Sequence, residues 1–250
     1  ITHFPRGVQD PVIDIHCHIL PGVDDGPDRV EESIEMAEMA FRDGITHIVA
    51  TPHVRYTKEP PGGQIGEARE NLRLRLREKG LFVELLGGAD LRLTYELLDG
   101  MKKGDVPTIN GTRYFLLELP ELLPPGLDRI FQAAKMHGYV PVITHPERNY
   151  TLLSSPEKIG MLKEGGCLFQ FTAMSFTGGF GDRVRSLSHL LLRRGFVDFV
   201  ASDAHRATGR VPMLSAAKAE LSRVVDAAKV RRIFFDNPLT LVENREIPGE

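Results

Sequence analysis

The chain has 250 residues, of which 42% are hydrophobic and 26% are charged, and its formal net charge is −3. This composition excludes a disordered chain, and the length fits one domain over residues 1–250, since α/β barrels commonly fold as single domains of about this size. The near-neutral charge and the absence of a long basic run exclude an electrostatic grip on nucleic acid.

The sequence also indicates the cellular compartment in which the protein works. Apolar runs stay well short of the roughly 20 residues that cross a bilayer, and residues 1–10 lack the charged-then-apolar order of an export signal. The two cysteines, Cys17 and Cys167, are far apart and lie in strand-like segments, which indicates a reducing compartment rather than a disulfide framework. We therefore expect a cytoplasmic protein without a membrane span.

Short apolar runs alternate with segments of helical periodicity along the chain. After a first strand at 12–15, the predicted strands cover residues 45–51, 81–89, 106–109, 113–119, 139–144, 167–172 and 196–202. The predicted helices are one that starts at Asp28 and stops at Gly44, followed by 64–79, 96–103, 127–137, 156–164, 182–194, 212–225 and 230–235. About seven strand–helix steps without a linker predict one barrel-like α/β domain with right-handed crossovers.

Three local patterns carry specific expectations. Asp28, with Glu31 three residues later, is typical of a helix cap. The dipeptide Asn110-Gly111 between two apolar runs predicts a β-hairpin. The Pro- and Gly-rich residues 54–63 and the loop 176–180 predict an open mouth that offers apolar and basic contacts.

Ionisable residues recur where the predicted strands end. Strand alternation directs His16 and His18 to the same side of the first strand, and Asp25 follows in the next turn. The later strands end at His53, Asp90, Glu118, His145, Asp203 and His205. Parallel α/β barrels gather their active sites at this end of the strands, so these side chains are expected to converge. Imidazole and carboxylate ligands without thiolate favour zinc, manganese or iron, and their number predicts two or three bridged ions.

A set of motifs in chain order resembles one family. The motifs I-D-I-H-C-H, V-D-D-G-P, T-P-H, G-A-D, L-E-L, T-H-P-E-R, S-D-A-H and F-F-D-N-P occur between residues 12 and 242, nearly the whole chain. Together they resemble the PHP (polymerase and histidinol phosphatase) superfamily, and more closely its bacterial tyrosine phosphatase branch, which is tied to capsule and exopolysaccharide export. The resemblance implies a distorted, TIM-like (β/α)7 barrel with a trinuclear metal centre, for which manganese is the favoured ion.

Carried over position by position, the resemblance divides the ligands among three ions. One ion takes His16, His18 and Asp203, a second takes Glu118 and His145 with Asp90 as the bridge to the first, and a third takes Asp25, His53 and His205. Asp90 departs from the family, which usually has the longer Glu there, so either the backbone comes closer or the bridge is looser. The family's two phosphate-binding arginines match Arg148 and Arg210. The sequence leaves open whether Asp25 or a histidine of the third site, such as His205, protonates the leaving oxygen.

The implied reaction is hydrolysis of phosphotyrosine by a metal-activated hydroxide, without a covalent enzyme intermediate. The expected substrate is a flexible protein tail, naturally that of a bacterial tyrosine kinase that governs polysaccharide export. Neither cysteine has the Arg that follows six residues after the nucleophile of thiol-dependent tyrosine phosphatases, because the residues at those positions are Val23 and Ala173. Cys17 also alternates away from the two histidines, so we interpret it as a packing residue. The oligomeric state is left open.

Other functions remain open on the sequence alone. Histidinol-phosphate phosphatase is the nearest alternative, since it belongs to the same superfamily and acts on an alkyl phosphate. A nuclease or an amidohydrolase is a further candidate, although the amidohydrolase barrel typically carries a bridging lysine where this chain has Asp90 and Glu118. A metal-binding scaffold that antagonises a kinase by contact alone is the non-enzymatic alternative, and a phosphatase rate that vanishes on chelation would exclude it.

Overall fold

The computed structural model describes residues 11–55 and 62–248 as an α/β fold in which every paired strand runs parallel to its neighbour. The strands are β1 (Val12–Cys17), β2 (Ile45–Ala50), β3 (His53–Arg55), β4 (Glu84–Gly87), β5 (Asp90–Arg92), β6 (Tyr114–Glu118), β7 (Val140–Thr144), β8 (Leu168–Thr172) and β9 (Phe199–Ala201). One sheet has the order β1-β2-β4, and the other has the order β3-β5-β6-β7-β8-β9. The α/β class is therefore confirmed, whereas a closed barrel is not seen, because neither sheet closes on itself among the described residues.

Helices connect most of the strands and cover the sheets. They are α1 (Val30–Arg42), α2 (Gly62–Glu78), α3 (Leu97–Lys103), α4 (Leu127–Met136), α5 (Tyr150–Ser154), α6 (Lys158–Glu164), α7 (Ala173–Thr177), α8 (Asp182–Arg193), α9 (Ser215–Leu221), α10 (Ala227–Arg231) and α11 (Asn237–Val242). Three of the longer helices, α1, α4 and α8, are amphipathic, and α1, for example, buries Met36, Ala37 and Ala40 on one face. Within the described ranges, no helix has both the length and the apolar character that a bilayer span requires.

Two of the predicted strands are each followed by a second short strand. Thr51 and Pro52 separate β2 from β3, and Gly88 and Ala89 separate β4 from β5. The chain passes from one sheet to the other at both places. Pro52 cannot donate a backbone hydrogen bond to a ladder. A Cβ on Gly88 would lie 2.8 Å from Val49 Cγ1, so the two interruptions pack closely against each other.

The first strand and the last strand meet along a short backbone seam. Cys17 and Ala204 form an isolated parallel bridge. The amide of His18 donates to the Ala204 carbonyl at 2.8 Å, and the amide of Asp203 donates to the His16 carbonyl at 2.9 Å. Cys17 and Ala204 are 187 residues apart in sequence. The seam therefore places the predicted ligands His16 and His18 beside Asp203 and His205.

A buried carboxylate, that of Asp14, links β1 to Ser202 beside the same seam. Asp14 is fully buried in β1 and accepts hydrogen bonds from the Ser202 amide at 3.0 Å and the Ser202 hydroxyl at 2.5 Å. Its own strand supplies a third donor, the His16 amide, at 3.3 Å. Burial raises the pKa of Asp14 to about 6, although these hydrogen bonds act to lower it. Asp14 thus satisfies the polar groups that begin the S-D-A-H segment.

The smaller of two apolar clusters forms the floor beneath the strand ends. It contains Ile13 from β1, Leu116 from β6, Val142 from β7 and Phe199 from β9, together with Leu241 from α11. These residues come earlier in their strands than the predicted ligands do. The larger cluster lies between the sheets and the surrounding helices. The predicted ligands therefore lie above an apolar floor that excludes water from below.

The predicted hairpin at Asn110-Gly111 is wrong. Residues 106–108 form no strand, Ile109–Gly111 is a 3₁₀ turn, and β6 pairs in parallel with β5 and β7. Pro107 in the first apolar run lacks the amide that a ladder needs. Asn110 does adopt the positive φ of 50° that an Asn-Gly turn favours, but its side-chain amide donates to the Val242 carbonyl, so the turn joins the segment to α11.

Two further local predictions need correction. Asp28 does not cap α1, since Arg29 occupies the N-cap and no side chain caps that helix; Asp28 instead pairs with Arg206 at 3.0 Å. The predicted loop 176–180 lies partly in α7, which ends at Thr177. Residues 56–61 of the predicted mouth segment lie outside the described residues.

The seam carboxylate gives a stability prediction. Asp14→Ala leaves the buried Ser202 amide without its acceptor and the hydroxyl with only the longer bond of 3.3 Å to the His16 carbonyl, so we expect the free energy of unfolding in urea to fall by about 1–3 kcal/mol. Asp99→Ala is the matched control, because Asp99 is 67% exposed and forms an ion pair with Lys102 on the same helix. Equal unfolding curves for the two variants would contradict a role for Asp14 in joining the strands.

Candidate metal centre

The predicted ligands lie together at the carboxyl ends of the parallel strands. Three groups of their ligand atoms each fit within 4.8 Å: His16, His18 and Asp203; His53, Asp90 and Glu118; and His18, Asp25, His53 and His205. The strand register explains part of this arrangement. His53 in β3 is paired with Asp90 in β5, and Arg92 two residues later is paired with Glu118 in β6, so these side chains form two adjacent rows.

A bulge in β1 aims its two histidines at the centre. Ile13 and Ile15 belong to the inner apolar cluster, so strict alternation would turn His16 to the opposite face. The pairing of β1 with β2 shows a register shift between Asp14 and Cys17, which is the effect of a bulge that changes the direction of a side chain. Both histidines therefore lie inside the site.

His16 and His18 face each other through their Nε2 atoms, 3.0 Å apart. The Nδ1 atom of His16 donates to Gln170 Oε1 at 2.7 Å, and the Nδ1 atom of His18 donates to Asp24 Oδ2 at 2.6 Å. In the neutral form of each ring these bonds place the proton on Nδ1, so both Nε2 atoms then present lone pairs to each other. Asp203 Oδ1 lies 3.5 and 3.6 Å from them. Two lone pairs and a carboxylate oxygen at these distances are a fitting donor set for a metal cation.

Other ligand atoms in the centre are buried and have no hydrogen-bond partner: His53 Nδ1, Asp90 Oδ2 and His205 Nε2. His53 Nδ1 lies 3.2 Å from Asp90 Oδ2 and 3.8 Å from Glu118 Oε2. His205 Nε2 lies 3.4 Å from Asp25 Oδ1. An unsatisfied buried polar atom costs about 1–3 kcal/mol, and cations among these atoms would remove that cost. The residues present therefore fit bound divalent ions.

The charge state of the centre suits metal binding. Burial raises the pKa of Asp90 and of Asp203, but nearby histidine side chains, with Arg148 beside Asp203, hold both pKa values well below their usual range. Burial lowers the pKa of His145 to about 3 and that of His205 to about 4, whereas the carboxylates Asp90 and Glu118 raise the pKa of His53 by more than burial lowers it. The site therefore holds the ionised carboxylates Asp90 and Asp203 beside the neutral imidazoles of His145 and His205, and these are protonation states that ligate metals.

The three groups overlap with the division among ions that the family resemblance implies, since one group is His16, His18 and Asp203 and another contains Asp25, His53 and His205. His18 belongs to two groups, and His53 lies with Asp90 and Glu118 as well as with Asp25. His145 belongs to none of the three groups, and its ring centroid is 5.9 Å from that of His16. Its backbone has a φ of 35°, an uncommon conformation for a residue with a side chain.

The predicted arginines both contact the shared carboxylate. Arg148 Nη1 lies 2.7 Å from Asp203 Oδ2, and Arg210 Nη1 donates to the same oxygen at 3.0 Å. Asp203 therefore presents one oxygen to the histidines and the other to two guanidinium groups. Both arginines are only partly buried, with 20% and 32% of their side chains exposed, so they also face the opening of the site.

Sequence reasoning missed three residues that hold the ligands in place. Asp24 accepts from His18 and from the His53 amide, and although burial raises its pKa, these bonds lower it to about 2. Gln170 anchors His16, and Arg92 Nε donates to Glu118 Oε2 at 2.8 Å. A signal was present for Gln170, because it is the polar residue in the middle of the apolar strand β8. Asp24 was visible only as the neighbour of Asp25.

Gly26 closes the first loop against the strand. A Cβ on Gly26 would lie 2.3 Å from the His18 carbonyl oxygen and 3.0 Å from Asp24 Oδ1. No side chain fits at this approach. The glycine in V-D-D-G-P therefore lets Asp24 reach His18 while Asp25, which is 58% exposed, stays at the opening.

Two described cavities are relevant to the choice of site. One of about 350 Å³ borders the centre and is lined by Glu118, His145, Arg148 and Arg210. A larger groove of about 980 Å³ runs between α4 and α6 and contains none of the predicted site residues. The smaller cavity adjoins the ionised ligands and the arginines, so it is the candidate substrate pocket.

Comparisons with known proteins show the family to which the chain belongs. Residues 12–243 match the family model for capsular polysaccharide synthesis, CpsB/CapC. The chain is 38% identical over 203 residues to the tyrosine-protein phosphatase YwqE of Bacillus subtilis, covering 80% of this chain and 79% of that protein. It is 31% identical over 247 residues to the tyrosine-protein phosphatase CpsB of Streptococcus pneumoniae, covering 94% of this chain and 100% of that protein.

A solved structure gives the same relationship. It comes from work on YwqE from Bacillus subtilis and CpsB from Streptococcus pneumoniae, described there as unique metal-dependent tyrosine phosphatases. It superposes with a TM-score of 0.88 at 34% identity, covering 94% of this chain and 96% of that chain. The chain therefore belongs to the CpsB/CapC family of capsular polysaccharide synthesis.

Proposed function

We propose that this protein is a metal-dependent tyrosine-protein phosphatase. The observation that carries the proposal is the position of Asp203, which has one oxygen beside the Nε2 atoms of His16 and His18 and the other beside Arg148 and Arg210. A place for cations thus adjoins a place for phosphate oxygens. The names of the relatives support the same activity.

Two to three divalent ions, with manganese as the favoured one, would be held by the three ligand groups. When bound, such ions supply positive charge for phosphate oxygens and lower the pKa of an attacking water molecule toward about 7. Gln170 and Asp24 orient the rings of His16 and His18, and Arg92 orients Glu118. These anchors keep the ligand atoms in place before substrate arrives.

The chain's own cations would bind the substrate phosphate. Arg148 and Arg210 converge on one oxygen of Asp203 and also border the cavity of about 350 Å³. A guanidinium group can donate two parallel hydrogen bonds to a phosphate, which fixes the orientation of the phosphorus atom. The negative charge that develops on the equatorial oxygens is then stabilised by groups that are already in position.

Departure of the leaving group needs little acid assistance from the protein. A tyrosine leaves as a phenolate whose pKa is near 10, far below that of an alkoxide. His205 is neutral near pH 7, because burial lowers its pKa to about 4. Asp25 is exposed at the opening and lies 3.4 Å from His205 Nε2. We propose that it serves with His205 as a ligand in the same group and not as a strong acid.

The proposed natural substrate is a phosphotyrosine in the flexible tail of a bacterial tyrosine kinase that controls polysaccharide export. Membership of the capsular polysaccharide family supports this choice. We also propose a cytoplasmic location, where both cysteines would stay free, as they are in the structure.

We further propose that the two sheets act as one distorted, seven-stranded barrel of the PHP type. In this barrel β2 and β3 together count as one strand, and so do β4 and β5, which reduces nine strands to seven. The bridge between β1 and the residue Ala204 after β9 joins the last strand to the first. This arrangement supports the convergence of all the strand ends at one opening.

The metal ligands give the next prediction. His16→Ala and Asp203→Ala should each lower bound manganese in plasma mass spectrometry and lower kcat/KM for a phosphotyrosine peptide by at least about 100-fold, since even the loss of a partner to a ligand costs about 10- to 100-fold. His137→Ala, which removes an exposed histidine after α4, is the control and should change neither. A metal-free protein that still hydrolyses the peptide would contradict the proposal.

Replacing the cysteines, unlike replacing the metal ligands, should leave the activity unchanged. Both thiols are buried, and burial raises the pKa of each well above its usual value, so neither is a thiolate nucleophile at neutral pH. Cys17→Ser and Cys167→Ser should keep kcat/KM within about threefold of wild type, a change of ~0.7 kcal/mol. Loss of activity with the metal content intact would overturn the mechanism without a covalent intermediate.

Substrate choice can be tested on one manganese-loaded preparation. We expect kcat/KM for a phosphotyrosine peptide to exceed the values for a phosphoserine peptide and for histidinol phosphate by at least about tenfold, or ~1.4 kcal/mol. The phenolate leaving group is the physical reason. If histidinol phosphate were preferred by the same factor, the histidinol-phosphate phosphatase assignment would replace this one, while the metal centre would stand.

A further inference from the structure

The cavity beside the metal centre is lined by both charged and apolar side chains. Its volume is about 350 Å³, within the range of roughly 300–1,000 Å³ found for small-molecule sites. The charged residues are Glu118, Glu121, Arg148 and Arg210, and the apolar ones include Leu119 and Phe180. A ligand with a phosphate at one end and an apolar body would match both kinds of side chain.

Phe180 lies directly over one of the two arginines. The Arg148 guanidinium carbon is 4.7 Å from the centroid of the Phe180 ring, which is a cation–π contact. The same guanidinium group lies 2.7 Å from Asp203 Oδ2. Arg148 is therefore held between the metal-site carboxylate and an aromatic ring, and the ring lies one guanidinium away from the proposed phosphate position.

The backbone around Phe180 is built to present this ring. Gly178 and Gly181 have φ values of 90° and 86°, which side-chain-bearing residues rarely adopt, and the Gly181 amide donates to the Gly178 carbonyl at 3.0 Å. A Cβ on Gly179 would lie 3.1 Å from Met174 Cβ, so that position is tight as well. The glycines of G-G-F-G thus set the path of the backbone on both sides of Phe180.

We infer that Phe180 gives this site a binding preference for aryl phosphates over alkyl phosphates of the same size, in addition to the effect of the leaving group on the rate. The inference rests on the proposed phosphatase function and names the feature of the chain that selects its substrate. With the phosphate on Arg148 and Arg210, the first ring of an aryl ester lies beside the Phe180 ring. Aromatic pairs are favourable at centroid distances of about 4.5–7 Å, beyond the gain from burying apolar area alone. A saturated ring of the same size gains only the free energy of burying apolar area.

The test compares two non-hydrolysable probes, phenylphosphonate and cyclohexylphosphonate, by calorimetric titration of the manganese-loaded protein. The variants are Phe180→Leu, which keeps an apolar side chain but removes the ring, and Phe180→Tyr, which keeps the ring. Phe82→Leu is the matched control, because Phe82 is 70% exposed and lies before β4, at the opposite end of the strands. Hydrolysis of phenyl phosphate by the wild type is measured in parallel.

Phe180→Leu should reduce the preference for phenylphosphonate, expressed as the ratio of the two dissociation constants, by about two- to tenfold. Phe180→Tyr and Phe82→Leu should keep the wild-type ratio. If Phe180 served only to hold Arg148, the leucine variant would weaken both probes equally and leave the ratio unchanged, which would overturn the inference while the phosphatase activity stood. A wild type that bound phenylphosphonate but did not hydrolyse phenyl phosphate would instead overturn the proposed function.

Discussion

Two imidazole lone pairs that point at each other inside the protein are the constraint on which the rest of the site depends. The Nε2 atoms of His16 and His18 are 3.0 Å apart, and the hydrogen bonds to Gln170 and Asp24 keep the ring protons on the other nitrogens. Between two neutral rings this contact is repulsive, and both side chains are fully buried. The carboxylate of Asp203 beside the pair completes a set of three donor atoms that suits a metal ion.

The fold uses long-range contacts to produce this pair. The seam between β1 and the segment after β9 places Asp203 next to the histidines, and buried Asp14 satisfies the polar groups of Ser202 beneath them. Strain accompanies the arrangement, since Asp203 and His145 have φ values of 51° and 35°. Non-glycine residues with such backbone angles cost about 1–3 kcal/mol and persist only where surrounding contacts hold them. A bound ion would be one such contact.

Much of this could be predicted from the sequence, for a physical reason. Apolar runs followed by histidine or carboxylate mark the ends of parallel strands, and parallel strands share one edge, so the convergence of residues such as His53, Asp90 and Glu118 follows from chain order. The class of fold follows from the same alternation of strands and helices. The anchors Gln170 and Asp24 could not be assigned roles, because their partners lie on other elements.

The local errors have a common cause. Asn110-Gly111 has the backbone angles that its sequence predicts, but the flanking run contains Pro107 and joins no ladder. Asp28 is a good capping residue, yet a tertiary ion pair with Arg206 takes its carboxylate. Asn110 bonds to the Val242 carbonyl and Asp28 pairs with Arg206, so both segments make contacts distant in sequence that a local pattern does not show. The division of ligands among ions depends on such contacts too, which is why His18 and His53 each join two groups.

The central claim is that these strand ends form a metal centre of nitrogen and oxygen ligands. It is tested most directly by growing crystals with manganese and measuring anomalous diffraction at the manganese absorption edge. We predict peaks within about 2–2.5 Å of His16 Nε2, His18 Nε2 and Asp203 Oδ1, with further peaks at the His53 and Asp90 group and at the His205 group. Peaks that lie elsewhere, or no peak beside the His16 and His18 pair in protein that hydrolyses phosphotyrosine, would contradict the account.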